Sequence, residues 1–157
     1  MSKKPLEVDF TNLKVDQLGF VFKNIEEQAK IMESVYGIPK FAMMEDKENV
    51  STHRGKETNL VAKIGISRFI NTQIELIEHV EGESIYKEFI DAGREGLHHI
   101  SFFVDELDPY IEAFTKSGFE IVRAGQIGKQ RFVYFDTEET FGLLLEFQET
   151  VRRRKKK

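Results

Sequence analysis

The sequence contains neither cysteine nor tryptophan among its 157 residues. Without cysteine the chain forms no disulfide, carries no thiol nucleophile and builds no thiolate zinc or iron–sulfur site. Any metal site must therefore consist of His, Glu, Asp, Gln or Asn side chains. No apolar run approaches the roughly 18 residues that span a membrane, and the N-terminus shows no signal peptide, so we expect a cytoplasmic protein.

The sequence also has few basic residues outside its C-terminus. It counts 23 Lys and Arg against 27 Asp and Glu, and six of the basic residues are the last six, 152–157. Residues 1–151 therefore hold 17 basic and 27 acidic side chains, a net charge of −10. A body this acidic disfavours binding to nucleic acids or to a membrane surface, and we expect neither as a partner. We interpret residues 151–157 as a basic, disordered tail.

Two runs of predicted elements have the same order, a strand followed by a helix and three more strands. The strands are predicted at 15–22, 40–44, 59–68 and 72–80 in the first run and at 97–104, 119–124, 131–136 and 142–148 in the second. The helices are predicted at 25–36, 85–93 and 107–117. Asn24 and Glu27 have the spacing of a capping box, and Gly37 ends the first helix. Residues 45–58 are charged and predict a loop or an irregular hairpin.

The two runs align as an internal repeat. A shift of 82 residues pairs Gln17 with His99, and the segment QIELIE matches LLLEFQ when Glu75 is set on Glu146. The repeat divides the chain into a lead-in, a first module, a linker helix, a second module and the tail, at residues 1–13, 14–82, 83–95, 96–150 and 151–157.

Four polar residues interrupt the apolar strands of this repeat at matching places: Gln17, Glu75, His99 and Glu146. A carboxylate between apolar neighbours is costly unless it is paired or bound to a cation. One alternative is that such residues face solvent on the outer side of a sheet. Because a two-fold relation between the modules would bring all four together, we favour a shared site. One amide oxygen, one imidazole and two carboxylates suit a divalent metal ion such as Zn, Co, Ni, Mn, Mg or Fe.

The sequence resembles the vicinal oxygen chelate superfamily, which includes glyoxalases, methylmalonyl-CoA epimerases, extradiol dioxygenases and bleomycin-resistance-type binding proteins. The resemblance covers residues 14–149 and rests on QLGFVFKNIEE, QIELIE, GLHHISFFVDELD and YFDTEETFGLLLEF; EGLHHISF and GLLLEF are especially similar to the epimerase-type, glyoxalase-like branch. It implies an α+β fold in which two βαβββ modules form a curved, open, mixed sheet around a metal-binding cup. It also implies that Gln17, Glu75, His99 and Glu146 are the metal ligands, and that the protein forms a homodimer.

His98 and His99 are adjacent, so alternation along a strand predicts that they point to opposite faces of the sheet. The pairing with Gln17 and the family pattern both select His99 for the cup. We therefore expect His98 to be a packing or hydrogen-bonding residue.

Gln17 stands where the family most often has His, which leaves one His among the four predicted ligands. Extradiol dioxygenases hold iron with two His and one carboxylate, so oxygen activation is disfavoured, whereas non-redox Lewis-acid chemistry is retained. The resemblance then implies an epimerase or isomerase that stabilises an enolate of an acyl thioester or a similar oxygen-chelating small-molecule substrate, as methylmalonyl-CoA epimerases do. Glu75 and Glu146 are both candidate bases, and Glu48 is a third because its acidic loop is roughly similar to that of the epimerases.

Two other functions are compatible with the same residues. The family includes non-catalytic small-molecule binding proteins, and Gln in the first ligand position is also what a weakened metal site would contain. A lactoylglutathione lyase (glyoxalase I) that acts on a glutathione hemithioacetal is the other alternative.

Three basic residues are candidate substrate contacts. Arg54 and Lys56 form a local basic spot in the acidic body, which suits a phosphate or carboxylate group of the substrate. A solvated hairpin tip explains these two residues equally well. Arg131 begins a predicted strand and faces either the cup or its rim.

Overall fold

The computed structural model describes residues 3–47 and 51–150, which form ten strands and four helices. The strands are β1 (Gln17–Val21), β2 (Ala42–Lys47), β3 (Ser51–His53), β4 (Lys56–Thr58), β5 (Val61–Phe69), β6 (Thr72–Glu81), β7 (Gly96–Val104), β8 (Ile121–Ile127), β9 (Gln130–Phe135) and β10 (Leu144–Glu149). The helices are α1 (Ile25–Tyr36), α2 (Ile85–Asp91), α3 (Asp108–Lys116) and α4 (Glu138–Phe141). None of these four helices is long and apolar enough to cross a membrane. The tail predicted at 151–157 lies outside the described residues.

The ten described strands belong to one sheet, in the order β2-β5-β6-β1-β7-β10-β9-β8-β3-β4. β1 and β7 lie side by side and antiparallel at its centre, whereas β1 pairs with β6, and β7 with β10, in parallel. The strands β2, β5, β6 and β1 form a first unit with α1, and β8, β9, β10 and β7 form a second unit with α3 in the equivalent order. The structure thus confirms the predicted α+β fold, in which two βαβββ units related by a pseudo-two-fold axis build a curled half-barrel sheet.

The hairpin of β3 and β4 crosses from the first unit to the second. It belongs to the connection between β2 and β5, yet β3 pairs with β8, so that His53 lies opposite Arg123. Arg54 and Gly55 form its turn with φ angles of 49° and 80°, the left-handed conformation that two-residue hairpin turns require. Residues 51–58 of the charged segment 45–58 therefore form a hairpin, one of the two predicted alternatives, and join the two units.

Helix α1 begins and ends where its sequence predicts. The side chain of Asn24 accepts a hydrogen bond of 3.0 Å from the backbone N–H of Glu27, and Gly37 ends the helix with a φ of 67°. Its buried residues Ile25 and Ala29 pack on one face of the sheet, against β6. The other face of β6 is therefore free to line the concave side.

Helix α2 joins the two units and packs on the concave side. Ser84 caps the helix by accepting a hydrogen bond of 3.0 Å from the backbone N–H of Lys87. Ile85, Tyr86 and Phe89 then pack into a core cluster that contains strand residues of both units. Through Tyr86 this helix reaches the cavity described below.

Three elements differ from the sequence prediction. β8 continues through Gly125 to Ile127, because its pairing with β9 extends beyond the glycine to Gln126 and Ile127. β2 extends to Lys47, since it pairs along its whole length with β5. The short helix α4 lies between the strands predicted at 131–136 and 142–148, where no helix was predicted.

Candidate active site

The four polar residues of the predicted shared site lie on the four central strands of the sheet. Gln17 is on β1, Glu75 on β6, His99 on β7 and Glu146 on β10. The structure places Nε2 of His99 3.4 Å from Oε2 of Glu75 and 3.4 Å from Oε2 of Glu146. One carboxylate from each unit therefore flanks a single imidazole.

Strand alternation explains why both carboxylates face the concave side. Ile74 and Leu76 precede and follow Glu75 on β6, and both pack with residues of α1 on the convex side. Glu75, which lies between them, therefore points to the other side. Glu146 is placed in the same manner between two residues that pack with α3. The two helices thus set the orientation of the two carboxylates.

His99 is completely buried, and its imidazole lies directly over Gly19 of β1. A Cβ added to Gly19 would lie 2.0 Å from Cε1 and 2.1 Å from Nε2 of His99, so only glycine leaves room for the ring. Nε2 of His99 makes no hydrogen bond. A buried nitrogen in this condition is costly, and here it faces the carboxylate oxygens of Glu75 and Glu146.

His98 lies beside His99 and not on the opposite face, so the sequence prediction was wrong on this point. The pairing of β1 with β7 skips His98, since Gly19 pairs with His99 and Phe20 with Leu97. Such a β-bulge interrupts the alternation of side chains, and the Nδ1 atoms of the two imidazoles are 3.0 Å apart. The prediction that His98 packs and forms hydrogen bonds is confirmed, because its ring also contacts two aromatic residues of α2.

The contact between the two imidazoles joins the Nδ1 atoms of His98 and His99. Burial, and then the charge of the neighbouring His99, hold the pKa of His98 well below its ordinary value, so His98 is neutral at pH 7. A hydrogen bond between His98 and the backbone of Ile85 raises this pKa, which indicates that His98 donates to the carbonyl there. Nδ1 of His98 can then accept a hydrogen bond from Nδ1 of His99, which leaves Nε2 of His99 as the ring nitrogen that can bind a cation.

Gln17 belongs to a network of amide side chains that the sequence analysis did not predict. It donates a hydrogen bond of 2.6 Å to Oε1 of Gln73, and its own Oε1 lies 3.4 Å from Nε2 of Gln148. The same nitrogen of Gln148 lies 3.0 Å from Oγ of Ser101 and 3.2 Å from Oε2 of Glu146. Gln148 follows Glu146 by two residues, and this spacing, which puts both on one face of β10, was the signal that could have found it.

Glu146 is the most strongly perturbed carboxyl group of the site. Burial raises its pKa to about 7, and the charge of Glu75 acts in the same direction, whereas His99, Ser101 and Tyr134 lower it. Burial, and then the charge of Glu146, raise the pKa of Tyr134 well above its ordinary value. Tyr134 is therefore a neutral hydrogen-bond donor, and burial favours the protonated form of Glu146.

A cavity of about 70 Å³ adjoins these residues, and both units contribute to its walls. Its charged and amide side chains are Asp46, Glu75, Arg123, Gln130, Glu146 and Gln148. Two tyrosines in its wall, Tyr86 and Tyr134, have their hydroxyl oxygens 2.9 Å apart. Aliphatic side chains of β5 form another part of the wall, so the cavity offers both polar and apolar contacts to a small ligand.

The donor atoms at this site match a divalent ion in type, and two of their separations match as well. Two ligands at ~2.1 Å from an ion and at a tetrahedral angle are ~3.4 Å apart, which is the distance from Nε2 of His99 to each carboxylate oxygen. Within residues 3–47 and 51–150, no three His, Asp or Glu side chains already surround a common ion position. To hold an ion here, Glu75, His99 and Glu146 would therefore have to move closer to a common point.

The three predicted substrate contacts lie elsewhere, since neither Arg54, Lys56 nor Arg131 lines the cavity. Nε and Nη2 of Arg54, in the hairpin turn, each donate a hydrogen bond of 2.9 Å to the carboxylate of Glu88. Arg131 donates a hydrogen bond of 3.1 Å to Asp108, and Lys56 is exposed on β4. The structure thus leaves these basic side chains outside the space next to the carboxylates.

The cavity contains an arginine that the sequence analysis did not select. Arg123 lies on β8 and is 2% exposed. A basic residue inside the apolar run IVRA was the available signal, because arginine is seldom fully buried. Glu48, the third candidate base, lies outside the described residues.

Residues 16–135 of the chain match the family described as the Glyoxalase/Bleomycin resistance protein/Dioxygenase superfamily. A relative in Bacillus subtilis (strain 168), the uncharacterized protein YqjC, is 24% identical over 142 residues, which cover 87% of this chain and 91% of YqjC.

Several solved structures share the fold. The hypothetical protein BH1468 from Bacillus halodurans C-125 superposes with a TM-score of 0.70 and 21% identity, and the match covers 93% of this chain and 100% of that one. Methylmalonyl-CoA epimerase from Mycobacterium tuberculosis superposes with a TM-score of 0.66 and 16% identity over 88% of both chains. A methylmalonyl-CoA epimerase in complex with methylmalonyl-CoA and NH4+ has a TM-score of 0.61 and 15% identity, covering 88% of this chain and 95% of that one.

Proposed function

The chain belongs to the Glyoxalase/Bleomycin resistance protein/Dioxygenase superfamily, and on that premise we propose that it is a divalent-metal-dependent proton-transfer enzyme. The proposed reaction is the epimerisation or isomerisation of an acyl thioester, or of a similar carbon acid with neighbouring oxygens, through an enolate. The substrate class follows the structural similarity to methylmalonyl-CoA epimerases.

The observation that supports this proposal most directly is the environment of Nε2 of His99. This nitrogen is buried without a hydrogen bond and lies 3.4 Å from a carboxylate oxygen of Glu75 and of Glu146. Gly19 leaves room for the ring, and Nδ1 of His98 lies 3.0 Å from Nδ1 of His99. A nitrogen prepared in this way, between two anionic oxygens, is the arrangement that a cation ligand needs.

In the proposed site Gln17, Glu75, His99 and Glu146 hold the metal, with Zn, Co, Ni, Mn, Mg or Fe as candidates. A divalent ion supplies Lewis-acid stabilisation to the oxygen of an enolate when it is bound. Two carboxylates balance the charge of such an ion, and a single imidazole among oxygen donors suits non-redox chemistry.

The proton transfer itself is assigned to the carboxylates. Glu75 and Glu146 come from opposite units and flank the imidazole of His99, so a bound carbon acid meets one carboxylate from each side. A group that takes a proton and returns it works best when its pKa is close to the working pH. In the metal-free protein burial raises the pKa of Glu146 to about 7, and a bound divalent ion would lower it, so we propose both Glu75 and Glu146 as bases.

Assembly and location are part of the same proposal. We propose a homodimer in the cytoplasm, by similarity to the family. β2 lies at one edge of the sheet with Met43 and Met44 exposed, and an apolar edge strand is a surface that a second copy can cover. Light scattering on purified protein tests the dimer, and a single mass near 18.3 kDa would contradict it.

The test combines metal analysis with solvent deuterium exchange. Protein purified without chelator is expected to contain one divalent ion per chain and to exchange the α-proton of methylmalonyl-CoA with D2O. Glu146→Gln is expected to lose both properties, whereas Glu81→Gln, which removes an exposed carboxylate at the end of the same β6 strand as Glu75, retains both. An E146Q protein with normal metal content and normal exchange would refute the assignment.

One observation supports a second function, that of a non-catalytic small-molecule binding protein. Gln17 is engaged by Gln73 and Gln148, and these contacts compete with metal binding. Protein without stoichiometric metal, and without exchange on a panel of acyl-CoA and 2-keto substrates, would favour this function. An assay of methylglyoxal plus glutathione on the same samples tests the lactoylglutathione lyase alternative.

A further inference from the structure

Gln148 contacts two of the proposed metal ligands, although it is not one of them. It lies on β10 two residues after Glu146, so both side chains are on the same face of the strand. Its Nε2 is 3.2 Å from Oε2 of Glu146 and 3.4 Å from Oε1 of Gln17 on β1. Since β7 lies between β1 and β10 in the sheet, a single amide nitrogen connects ligands from both units.

Three oxygen atoms converge on this nitrogen of Gln148. The third is Oγ of Ser101, at 3.0 Å, and Ser101 is completely buried on β7. The sheet register explains the convergence, because Ser101 lies directly opposite Gln17 on β1 and directly opposite Glu146 on β10. Oxygen atoms gathered from three adjacent strands around one electropositive atom are an arrangement that a hard cation also favours.

The orientation of the Gln148 amide is fixed from its other end. Nε2 of Gln130, on β9, donates a hydrogen bond of 2.8 Å to Oε1 of Gln148. This contact turns the oxygen of Gln148 towards β9 and its nitrogen towards Gln17 and Glu146. The reverse orientation would place an oxygen beside the oxygens of Gln17 and Glu146 and would lose every one of these hydrogen bonds.

The contacts of Gln148 satisfy oxygen atoms that a bound ion would otherwise satisfy. Gln17 is 3% exposed and Glu146 is 4% exposed, and a buried acceptor without a donor or a cation is costly. An ion that binds these two oxygens replaces their hydrogen bonds with Gln148. Every hydrogen bond that is favourable in the metal-free protein and lost in the metal-bound protein therefore lowers the metal affinity.

We propose that the amide nitrogen of Gln148 is a built-in substitute for the cation. It binds the oxygens of Gln17 and Glu146 when no metal is present, and an ion displaces it. This inference rests on the proposed function, because it takes Gln17 and Glu146 as metal ligands. Gln148 is then the residue that limits the metal affinity of the site. Removing its amide group should destabilise the metal-free protein and at the same time strengthen metal binding.

The test measures zinc affinity by competition with a chromogenic chelator, and the stability of EDTA-treated protein by urea unfolding. Gln148→Leu keeps the approximate size of the side chain but removes the amide. It is expected to bind zinc about 10-fold more tightly and to unfold at a lower urea concentration, because buried acceptors lose their donor. A residue that only supports the fold or orients the ligands would lower both quantities when it is removed.

Gln126→Leu is the matched control. Gln126 is exposed on β8 and its Nε2 donates a hydrogen bond of 2.8 Å to the carbonyl of Gly128. Its replacement removes an amide of the same type outside the cavity, and it should leave zinc affinity unchanged.

Zinc affinity of Q148L that is equal to or lower than that of the unaltered protein overturns the inference. Circular dichroism shows whether Q148L is folded. If it is not, Gln130→Leu decides, because it removes the hydrogen bond that orients the amide of Gln148. Tighter zinc binding by Q130L supports the substitute role, and unchanged or weaker binding refutes it.

The deuterium exchange assay separates this inference from the proposed function. Zinc-loaded protein without exchange, together with tighter zinc binding by Q148L, would refute the enzyme but not the role of Gln148. Normal exchange by the unaltered protein, together with unchanged zinc affinity of Q148L, would refute the role of Gln148 alone. Unaltered protein that binds no zinc would refute both.

Discussion

Gly19 and His99 lie in such close contact that a Cβ on the glycine would be 2.0 Å from Cε1 of the imidazole. The two residues face each other on β1 and β7, at the pseudo-two-fold axis between the units. The absence of a side chain on one central strand therefore determines where the imidazole of the other strand sits. This relationship sets the distance from Nε2 to both carboxylates.

Gly19→Ala is expected to displace the imidazole and to destabilise the protein by about 1–3 kcal/mol, as overpacking of a core does. Zinc affinity, measured by competition with a chromogenic chelator, should fall at least about tenfold. Gly65→Ala is the matched control on β5, because the added Cβ would first meet the flexible end of Met43. Unaltered zinc affinity in G19A would contradict the role of Gly19.

His98 is expected to position His99 by accepting the proton of its Nδ1 across 3.0 Å. His98→Phe retains an aromatic ring that packs against α2 but removes Nδ1, the proposed acceptor. This substitution should weaken zinc binding about 10- to 100-fold. Urea unfolding of the metal-free protein reports any separate loss of packing. His79→Gln, which alters an exposed imidazole bonded to the Gly82 carbonyl, should leave zinc binding unchanged. Equal zinc affinity of H98F and the unaltered protein would disprove the positioning role.

The buried carboxyl of Glu146 should make the stability of the metal-free protein depend on pH. Its folded-state pKa of about 7 lies above the ordinary value of 4.5, so the folded state binds this proton more tightly than the unfolded chain. The resulting stabilisation is complete below about pH 4.5 and is lost as the pH rises through 7. The free energy of unfolding is measured in EDTA for the unaltered protein and for Glu146→Gln. The value for the unaltered protein minus the value for Glu146→Gln should fall by about 2–3 kcal/mol between pH 5 and pH 8. A difference that stays constant over this range would show that Glu146 is ionised throughout.

The contact between Arg54 and Glu88 should fasten the β3–β4 hairpin to α2 only weakly. The two side chains are 49% and 41% exposed, so solvent screening limits their coupling to about 0.2–1 kcal/mol in a double-mutant cycle with Arg54→Ala and Glu88→Ala. The hydrogen bond from Arg54 lowers the pKa of Glu88, so this contribution is present at neutral pH and is lost as the pH falls through that lowered value. A coupling that persists unchanged in 1 M NaCl would contradict this estimate.

Much of the fold could be predicted because its signals are local. Asn24, Glu27 and Gly37 mark the ends of α1 by capping chemistry that depends only on neighbouring residues. The order of the strands and the helix along the chain of each unit followed from the hydrophobic pattern and its repeat. The crossing of the hairpin to β8 could not be predicted, because nothing in residues 45–58 encodes which strand edge lies nearby in space.

The sequence by itself determined which side chains are out of place in apolar strands. Gln17, Glu75, His99 and Glu146 stood out because polar groups in such strands are costly, and the internal repeat indicated that they meet. Their distances, however, arise from the contact of His99 with Gly19, which joins two strands 80 residues apart in the chain.

Only the tertiary structure decided which neighbouring groups accompany these four residues. Alternation predicted that His98 points away from His99, but a bulge opposite Gly19 brings the two rings together. Arg131 was a candidate for the cup, yet Arg123 occupies its wall, since aromatic rings of α2 and β9 hold that guanidinium group in place. The physical reason is the same in both cases: a period of two residues assigns faces, whereas bulges, helix docking and ring packing are set by segments distant in sequence.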